Sequence, residues 1–205
     1  MSVRAEPAAA EDVIDTVVFD LGGVLIDWNP RYVLTDDELV IALDIDGAQR
    51  ELDLGTPLDR VHATWRDTYA DRVEHVDRYF HGWHDTVAGA LDDVVDVLEE
   101  LRERPLGLYA LSNFSGDLFR EVSPRFEFLK WFDGLLISGD EGIIKPDPAI
   151  YELLLDRFSL TARRTVFIDD RVENIQAARA AGLVGIHFHS APQLRSELVE
   201  RGVLA

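Results

Sequence analysis

"VVFDLGGVLIDWN", residues 17–29, is the stretch that decides the fold of this chain. It begins with an apolar run, reaches a carboxylate at Asp20, and then turns through the pair Gly22-Gly23. A short apolar run of this kind is typical of a buried strand in a parallel sheet. Glycines let the backbone turn tightly and approach a ligand closely. The stretch therefore predicts a strand that ends by presenting a carboxylate at the edge of a sheet.

Further apolar runs predict more strands of the same sheet, and segments with helical periodicity separate them. Asp147-Pro148, for example, is typical of the N-cap and first residue of a helix. Strands that alternate with helices indicate an α/β fold, here a Rossmann-like parallel sheet with helices on both faces. The predicted strands are Thr16–Phe19, Leu106–Leu111, Thr165–Ile168, Val184–Phe188 and a weaker run at Leu135–Ser138.

The segment 30–89 breaks this alternation. It contains no convincing strand, and much of it is compatible with helices, such as Leu58–Tyr69 and Val73–Trp83. An all-helical insertion after the first strand is the simplest interpretation. We therefore expect two parts, a small helical cap at 29–89 and an α/β core at 1–28 and 90–205.

The charge of the chain limits its partners. Among 205 residues, 39 are acidic and 20 are Lys or Arg, which gives a formal net charge of −19 at pH 7. A surface this acidic repels nucleic acid and anionic membranes, so we expect neither as a partner. A small molecule is expected instead, bound by a monomer or a homodimer. Any phosphate site must be made locally positive by a metal, a lysine or a helix N-terminus.

Cysteine is absent, which excludes disulfides, thiolate metal sites and a cysteine nucleophile. No apolar run approaches the roughly 18 residues that a membrane helix needs. The stretch 1–15 is acidic and rich in alanine, and it lacks the basic start and apolar segment of a signal peptide. We therefore expect a cytoplasmic protein.

Polar side chains follow three of the predicted strands, at Asp20, at Ser112-Asn113 and at Asp169-Asp170. Because the carboxyl ends of parallel strands meet at one edge of the sheet, these groups should converge. Carboxylates that are buried together repel one another unless a cation is present. A hard cation with oxygen ligands, such as Mg²⁺, removes that penalty and keeps positions open for phosphate oxygens.

Lys145, in "GIIKPDPAIY", would add a compact positive charge to this edge. Taken singly, each group has a plainer interpretation: an Asp after a strand is most often a cap or turn residue, and a lone Lys is most often solvated. Their consistent succession after apolar strands favours a phosphoryl site. In such a site Asp20 would attack phosphorus to give an aspartyl phosphate, which water then hydrolyses.

Four motifs occur in order along the chain: "VVFDLGGVL", "LYALSN", "GIIKPDPAIY" and "VFIDDRVENI". This combination resembles the haloacid dehalogenase (HAD) superfamily of hydrolases, and the resemblance covers the chain except for its N-terminal tail. The most similar group is the small capped phosphatases, such as glucose-1-phosphate phosphatases. The resemblance implies a HAD-like core and a Mg²⁺-dependent phosphatase.

The resemblance also implies roles for single residues. Asp20 resembles the nucleophile, which also ligates Mg²⁺. Lys145 would bridge the phosphate and the nucleophile, while Ser112 and Asn113 would contact the phosphate.

On the metal side, Asp170 resembles a direct ligand, with Asp169 close by as a second candidate. Asn174 falls where many members carry another acid that acts through water. Gly22 departs from the pattern, because most phosphatases of the superfamily have a second Asp there. In those phosphatases the backbone carbonyl of this Asp binds the metal, and its side chain protonates the leaving group. Glycine retains the carbonyl and lacks the side chain.

General acid–base catalysis contributes about 10²–10⁴-fold, so the loss at Gly22 matters. Another residue could supply the proton, and Asp27, His81 and His84 are candidates. Trp28 and Asn29 follow the first turn, where core meets cap, and are candidates for substrate contacts. The cap aromatic residues are weaker candidates, since their helical spacing is more typical of a cap core: Trp65, Tyr69, Tyr79, Phe80 and Trp83.

Three functions are therefore compatible with the sequence. The first is a Mg²⁺-dependent phosphomonoesterase for a small metabolite of the sugar phosphate class. The second is a 2-haloacid dehalogenase, in which Asp20 displaces halide from carbon without a metal. Retention of the pair Asp169-Asp170 argues against it. The third is a HAD-fold binding protein that Gly22 has silenced.

Overall fold

A computed structural model describes residues 13–205. Most of the stretch 1–15, which we predicted not to be a signal peptide, lies outside the described residues. The strands are β1 Thr16–Phe19, β2 Ile26–Trp28, β3 Val87–Ala90, β4 Gly107–Ser112, β5 Gly134–Ile137, β6 Thr165–Asp169 and β7 Val184–His187. The α-helices are α1 Asp37–Ala42, α2 Ile45–Asp53, α3 Leu58–Thr68, α4 Val73–His81, α5 Asp92–Arg102, α6 Gly116–Val122, α7 Ser138–Glu141, α8 Pro148–Phe158, α9 Val172–Ala180 and α10 Ala191–Glu200. Within the described part of the chain, none of the helices has the length and apolar character needed to span a membrane.

The main sheet is parallel and has the order β5-β4-β1-β6-β7. β1 lies at its centre, where Phe19 is opposite both Ala110 of β4 and Ile168 of β6. The five predicted strands are confirmed as β1, β4, β5, β6 and β7, and their bounds differ from the predicted ones by at most one residue. Ser112 and Asp169, which we expected just beyond their strands, are the last residues of β4 and β6.

Helices cover both faces of this sheet, as predicted. Because side chains alternate along a strand, Val17 and Phe19 of β1 face one layer and Val18 faces the other. The first layer includes α5 and α10, and the second includes α8 and α9. The sheet is thus buried on both sides, which explains why its strands read as continuous apolar runs.

The cap contains α1 to α4, and the helices predicted at Leu58–Tyr69 and Val73–Trp83 are confirmed as α3 and α4. The expectation of no strand between residues 30 and 89 is wrong at the end of that segment. There β3 pairs antiparallel with β2, and Gly89 lies opposite Asp27. The sequence "VAGA" has little strand character, and the pairing partner rather than intrinsic propensity makes it a strand.

One cap helix packs directly against the carboxyl-terminal edge of the main sheet. α2 buries Ile45, Ala48 and Leu52 as an apolar stripe. At its end, the carbonyl of Asp53 accepts a hydrogen bond of 2.7 Å from Ser138 Oγ, directly after β5. This contact fixes the end of α2 over the ends of the strands.

Candidate active site

The loop after β1 holds Asp20 in a defined position. The backbone N–H of Asp20 donates to Ile168 O at 2.8 Å, and its Oδ1 accepts from the N–H of Leu21 at 2.7 Å. Gly23 has a φ of +74°, and a Cβ there would lie 2.6 Å from Asp170 Oδ2. Only glycine therefore lets the loop turn while the Asp170 carboxylate packs against it.

Lys145 is buried in the core, which excludes the interpretation as a solvated surface charge. Its Nζ lies 2.9 Å from Asp20 Oδ2 and 2.7 Å from Asp169 Oδ2, and it also donates to Leu111 O at 2.9 Å. Asn113 clamps the backbone of Lys145: its Oδ1 accepts from Lys145 N–H at 2.8 Å, and its Nδ2 donates to Lys145 O at 3.0 Å. Asn113 thus positions the lysine.

Asp169 is fully buried beneath this site, and both its oxygens accept hydrogen bonds. Lys145 Nζ and Asn174 Nδ2 donate to Oδ2, and Asn174 Nδ2 and the N–H of Arg171 donate to Oδ1. Asp169 does not cap the next helix, because Arg171 is the N-cap of α9 and no side chain of the described residues caps that helix; its bond from the Arg171 N–H is that of a turn residue. The carboxylate also orients Lys145.

Three carboxylates meet at this point, as the strand ends predicted. Asp20, Asp169 and Asp170 each offer an oxygen within 4.8 Å of the others. Burial raises the pKa of Asp20 to about 8, and the opposing attraction of Lys145 only partly offsets it. Burial and the charge of Asp169 also raise the pKa of Asp170. Burial opposes charge on Lys145, but its attraction to Asp169 and Asp20 outweighs this and raises its pKa.

This donor set fits a divalent cation. One ammonium faces three carboxylates, and the raised pKa values of Asp20 and Asp170 indicate that more positive charge would stabilise the ionised forms of these two groups. Within residues 13–205, no group donates a hydrogen bond to the Gly22 carbonyl, which leaves another hard oxygen available beside Asp20. Oxygen donors of this kind are the ligands that Mg²⁺ prefers.

Two buried polar atoms beside the site lack a hydrogen-bond partner within the described residues: Ser112 Oγ and Trp28 Nε1. A buried polar group without a partner is costly, so such atoms are uncommon in native proteins. Ser112 stands at the end of β4, next to the strand that carries Asp20, and Trp28 lines the cavity described below. Trp28 Nε1 can donate to an oxygen of a molecule bound in the cavity, and Ser112 Oγ is a second donor without a partner among the described residues, directly beneath the site.

A cavity of about 610 Å³ covers this edge of the sheet, with a wall of core residues and a wall of cap residues. Ser112 and Asp169 lie outside its lining, beneath the core wall. Of the residues predicted from sequence, the cavity is lined by Asp20, Gly22, Trp28, Asn29, Trp83, Asn113, Lys145, Asp170 and Asn174.

The three proton donors considered in place of an acid at position 22 do not line the cavity. Asp27 accepts from the Tyr32 hydroxyl at 2.8 Å, and His84 lies 2.7 Å from Glu121 on the surface. His81 packs edge-on against the ring of His62. Of the cap aromatic residues, only Trp83 reaches the cavity, while the others pack in the cap or at its surface.

Sequence reasoning missed the polar residues that the cap contributes to the cavity. The most buried of them is Asp53, whose pKa burial raises to about 7 against the opposing effect of a hydrogen bond from Gln49. The spacing of Gln49 and Asp53, i and i+4 beside the apolar stripe of α2, was the available signal. The missed residues are Arg31, Asp46, Gln49, Arg50 and Asp53.

Comparison with known proteins places these features in a family. A model of haloacid dehalogenase-like hydrolases matches residues 14–182, which confirms the resemblance of the four motifs. The finer similarity to glucose-1-phosphate phosphatases stays a prediction. The sesquiterpene phosphatase astK of Aspergillus oryzae is 28% identical over 187 residues, which are 83% of this chain and 88% of that protein. Several other curated relatives are longer, and the match covers 20% of them or less.

Solved structures share the fold at lower identity. A magnesium complex of a HAD family enzyme from Bacteroides thetaiotaomicron is 22% identical, with a TM-score of 0.71 over 91% of this chain and 98% of that chain. An L-2-haloacid dehalogenase from Xanthobacter autotrophicus, with chloropropionic acid covalently bound, is 19% identical. Its TM-score is 0.60 over 94% of this chain and 85% of that chain. At these identities the likeness concerns the fold alone. It therefore does not distinguish a dehalogenase from another HAD family enzyme.

Proposed function

Because the chain belongs to the haloacid dehalogenase-like hydrolase family, we propose that it hydrolyses phosphate monoesters of small metabolites of the sugar phosphate class. The observation that carries the proposal is the contact of 2.9 Å between Asp20 and Lys145 Nζ at the base of the cavity. A nucleophilic carboxylate beside a buried ammonium suits attack on an anionic phosphoryl group. The sesquiterpene phosphatase that matches 83% of the chain supports phosphatase activity, and the sugar phosphate class is our own proposal.

In this proposal, Asp20 attacks phosphorus and becomes an aspartyl phosphate, from which water then releases phosphate. Lys145 attracts the phosphoryl oxygens and orients the nucleophile, while Asn113 and Asp169 hold the lysine from its backbone and from its Nζ. Ser112 Oγ, which has no partner within the described residues, donates to a phosphoryl oxygen.

We propose that Mg²⁺ is held by Asp20, Asp170 and the carbonyl of Gly22, with Asp169 as a further candidate ligand. The bound ion would neutralise phosphoryl oxygens and lessen their repulsion of the attacking carboxylate. The family's solved magnesium complex supports this choice of metal.

The cap wall supports a small, hydroxylated substrate. Asn29 and Arg50 offer hydrogen-bonding groups there, and the indole Nε1 of Trp28 is a donor without a partner within residues 13–205. A cavity of 610 Å³ lies in the ordinary size range of metabolite sites. In this division of labour the cap, residues 29–89, selects the leaving group, and the core, 1–28 and 90–205, carries out phosphoryl transfer.

The test is a Mg²⁺-dependent screen of phosphorylated metabolites that measures phosphate release. We expect turnover of at least one sugar phosphate, abolished by Asp20→Asn and by EDTA. Asp27→Asn is the matched control, because Asp27 belongs to the same segment but does not line the cavity.

The same screen decides between the alternatives. Halide release from 2-haloacids in EDTA would indicate a dehalogenase. Binding of phosphate, measured by calorimetry, without turnover of any ester would indicate a silenced binding protein. The glycine at position 22 is the observation that favours this alternative. Phosphate release that survives both Asp20→Asn and EDTA would contradict the proposed mechanism.

A further inference from the structure

The cap wall contains one buried carboxyl group, Asp53, and the core holds it in place. The backbone carbonyl of Asp53 accepts a hydrogen bond from Ser138 Oγ at 2.7 Å, and Ser138 Oγ in turn accepts one from the N–H of Phe114 at 3.0 Å. Phe114 directly follows Asn113, the residue that clamps Lys145. Asp53 is therefore tied to the catalytic edge of the sheet, although it belongs to the cap.

A buried amide fixes the orientation of the Asp53 side chain. Gln49 Oε1 accepts from Trp83 Nε1 at 3.2 Å and from the Tyr79 hydroxyl at 3.4 Å. Because both partners donate to the oxygen, the amide nitrogen faces Asp53, and Gln49 Nε2 donates to Asp53 Oδ1 at 2.8 Å. Within residues 13–205, Oδ2 has no hydrogen-bond partner, and Asp53 lines the cavity.

Burial favours the protonated form of Asp53 near neutral pH, against the positive charges around it. Burial raises its pKa to about 7, and the hydrogen bond from Gln49 and the positive charges of Lys145 and Arg171 only partly oppose this. Tyr79 also faces it, and burial, followed by the negative charges of Asp53 and Asp46, raises the pKa of that phenol. Within the described residues, no cation forms an ion pair with Asp53, in contrast to Asp20.

We propose that Asp53 is the general acid–base residue of the reaction, in place of the acid that Gly22 lacks. The inference rests on the proposed phosphatase function. With the phosphoryl group at Asp20 and Lys145 on the core wall, the leaving group extends toward the cap, where Asp53 Oδ2 can reach its oxygen. A carboxyl group that titrates near the working pH suits proton transfer in both directions.

The two steps balance. In the first, Asp20 forms a bond to phosphorus, the ester P–O bond breaks, and the Asp53 carboxyl gives its proton to the leaving oxygen, which departs as an alcohol. In the second, water attacks phosphorus, the Asp53 carboxylate takes a proton from that water, and the bond from phosphorus to Asp20 breaks. Inorganic phosphate leaves, and both carboxyl groups return to their initial states.

The test compares leaving groups in Asp53→Asn, which retains an oxygen for the hydrogen bond from Gln49. With alkyl phosphates, whose leaving oxygen needs a proton, we expect kcat/KM, which reports the steps up to departure of the leaving group, to fall by about 10²-fold or more. With p-nitrophenyl phosphate, whose leaving group departs without a proton, kcat/KM should stay near the wild-type value, although kcat can fall on both substrates because they share the hydrolysis of the aspartyl phosphate. Asp46→Asn is the matched control, because Asp46 lies on the same helix and lines the same cavity. It should change both substrates by the same factor.

A second variant tests whether position 22 and Asp53 share one role. A Cβ at Gly22 would meet no atom within 4 Å, so Gly22→Asp has room for an acid. In the Asp53→Asn background, Gly22→Asp should restore kcat/KM on alkyl phosphates and leave kcat/KM on p-nitrophenyl phosphate unchanged.

The wild-type pH profile gives a readout that needs no variant. The kcat/KM for alkyl phosphates should fall as the pH rises through about 7, since the acid loses its proton, and the kcat/KM for p-nitrophenyl phosphate should lack that limb. Equal losses of kcat/KM on both substrates in Asp53→Asn, or identical pH profiles of kcat/KM in the wild type, would overturn the role of Asp53. A wild-type protein that hydrolyses no phosphate ester would instead overturn the proposed function, and the role of Asp53 with it.

Discussion

The two walls of the cavity each carry a buried carboxyl group, and these two groups have different partners. On the core wall, Asp20 lies 2.9 Å from the ammonium of Lys145. On the cap wall, Asp53 lies 2.8 Å from the neutral amide of Gln49. Burial raises both pKa values, but only the core wall has a cation at contact and a set of oxygens that fits a second one.

This difference assigns separate chemistry to the two groups. A nucleophile must be ionised. Beside the ammonium alone the pKa of Asp20 is about 8, so this state depends on the bound divalent ion as well. A proton donor must be neutral, which burial beside an amide favours at Asp53. Once the ion is bound, the two groups would favour opposite protonation states, which is the usual basis of paired nucleophilic and acid–base roles.

Removing the cation from the core wall should have the largest effect. Lys145→Met leaves Asp20 and Asp169 buried without their ammonium, and breaking a buried ion pair costs about 3–5 kcal/mol. We expect the free energy of unfolding to fall by that amount at pH 7 in EDTA, measured by urea denaturation, and phosphate release to be lost.

Lys130→Met is the matched control, because Lys130 is the only other lysine and its ion pair with Glu127 is exposed. It should leave stability unchanged. The deficit of Lys145→Met should shrink toward acidic pH, since protonation neutralises the carboxylates that the lysine had compensated. A Lys145→Met protein as stable as the wild type would show that the core wall does not depend on this charge.

The core wall could be predicted from sequence because local features build it. Asp20 and Asp170 directly follow or end apolar strands, and parallel strands bring their carboxyl ends to one edge whatever the loops do. Lys145 belongs to the same succession. The sequence did not predict that Asn113 would bind the lysine backbone, since that contact joins residues 32 positions apart.

The cap wall could not be predicted in this way. Asp53 is the last residue of an ordinary amphipathic helix, and its burial depends on packing against Ser138, 85 residues away. The proton donors considered from sequence were histidines and an aspartate near the motifs, and their side chains bind Tyr32, Glu121 and His62 instead. Strand β3 was missed for the same reason, because its partner rather than its residues defines it.

The protonated carboxyl group of Asp53 on the cap wall should affect how the stability of the protein depends on pH. Asp53 has a pKa of about 7 in the folded protein and about 3.9 when unfolded, so between these values the folded state holds a proton that the unfolded state has released. Wild-type stability therefore falls as the pH rises through this window and levels off above it. Asn carries no such proton, so Asp53→Asn should escape this loss.

We expect the melting temperature of Asp53→Asn relative to the wild type to rise by several degrees between pH 4.5 and 7.5. The scale follows from about 1.4 kcal/mol per unit of pKa shift and about 2–4 °C per kcal/mol for a chain of this size. Asp46→Asn on the same helix should give a difference that does not depend on pH. A constant offset for Asp53→Asn as well would mean that Asp53 is ionised like an ordinary surface carboxylate.

The smallest expected effect separates two serines at neighbouring strand ends. Ser112 ends β4 and its Oγ has no partner within the described residues, whereas Ser138 follows β5 and its Oγ joins Phe114 to Asp53. Removing a hydroxyl that makes no bond costs little, and removing one that satisfies buried groups costs about 1–3 kcal/mol. Ser112→Ala should therefore keep the wild-type stability, and Ser138→Ala should lose some of it.

Affinity for phosphate should follow the reverse order. If the Ser112 hydroxyl is reserved for a phosphoryl oxygen, Ser112→Ala loses one hydrogen bond to a charged group, about 1.5 kcal/mol or tenfold in the inhibition constant of phosphate. Ser138→Ala should leave that constant near the wild-type value, because Ser138 binds the cap rather than the ligand. Loss of stability without loss of affinity in Ser112→Ala would give its hydroxyl a structural role in the core wall, and phosphate would then be bound by Lys145 and the proposed Mg²⁺ without it.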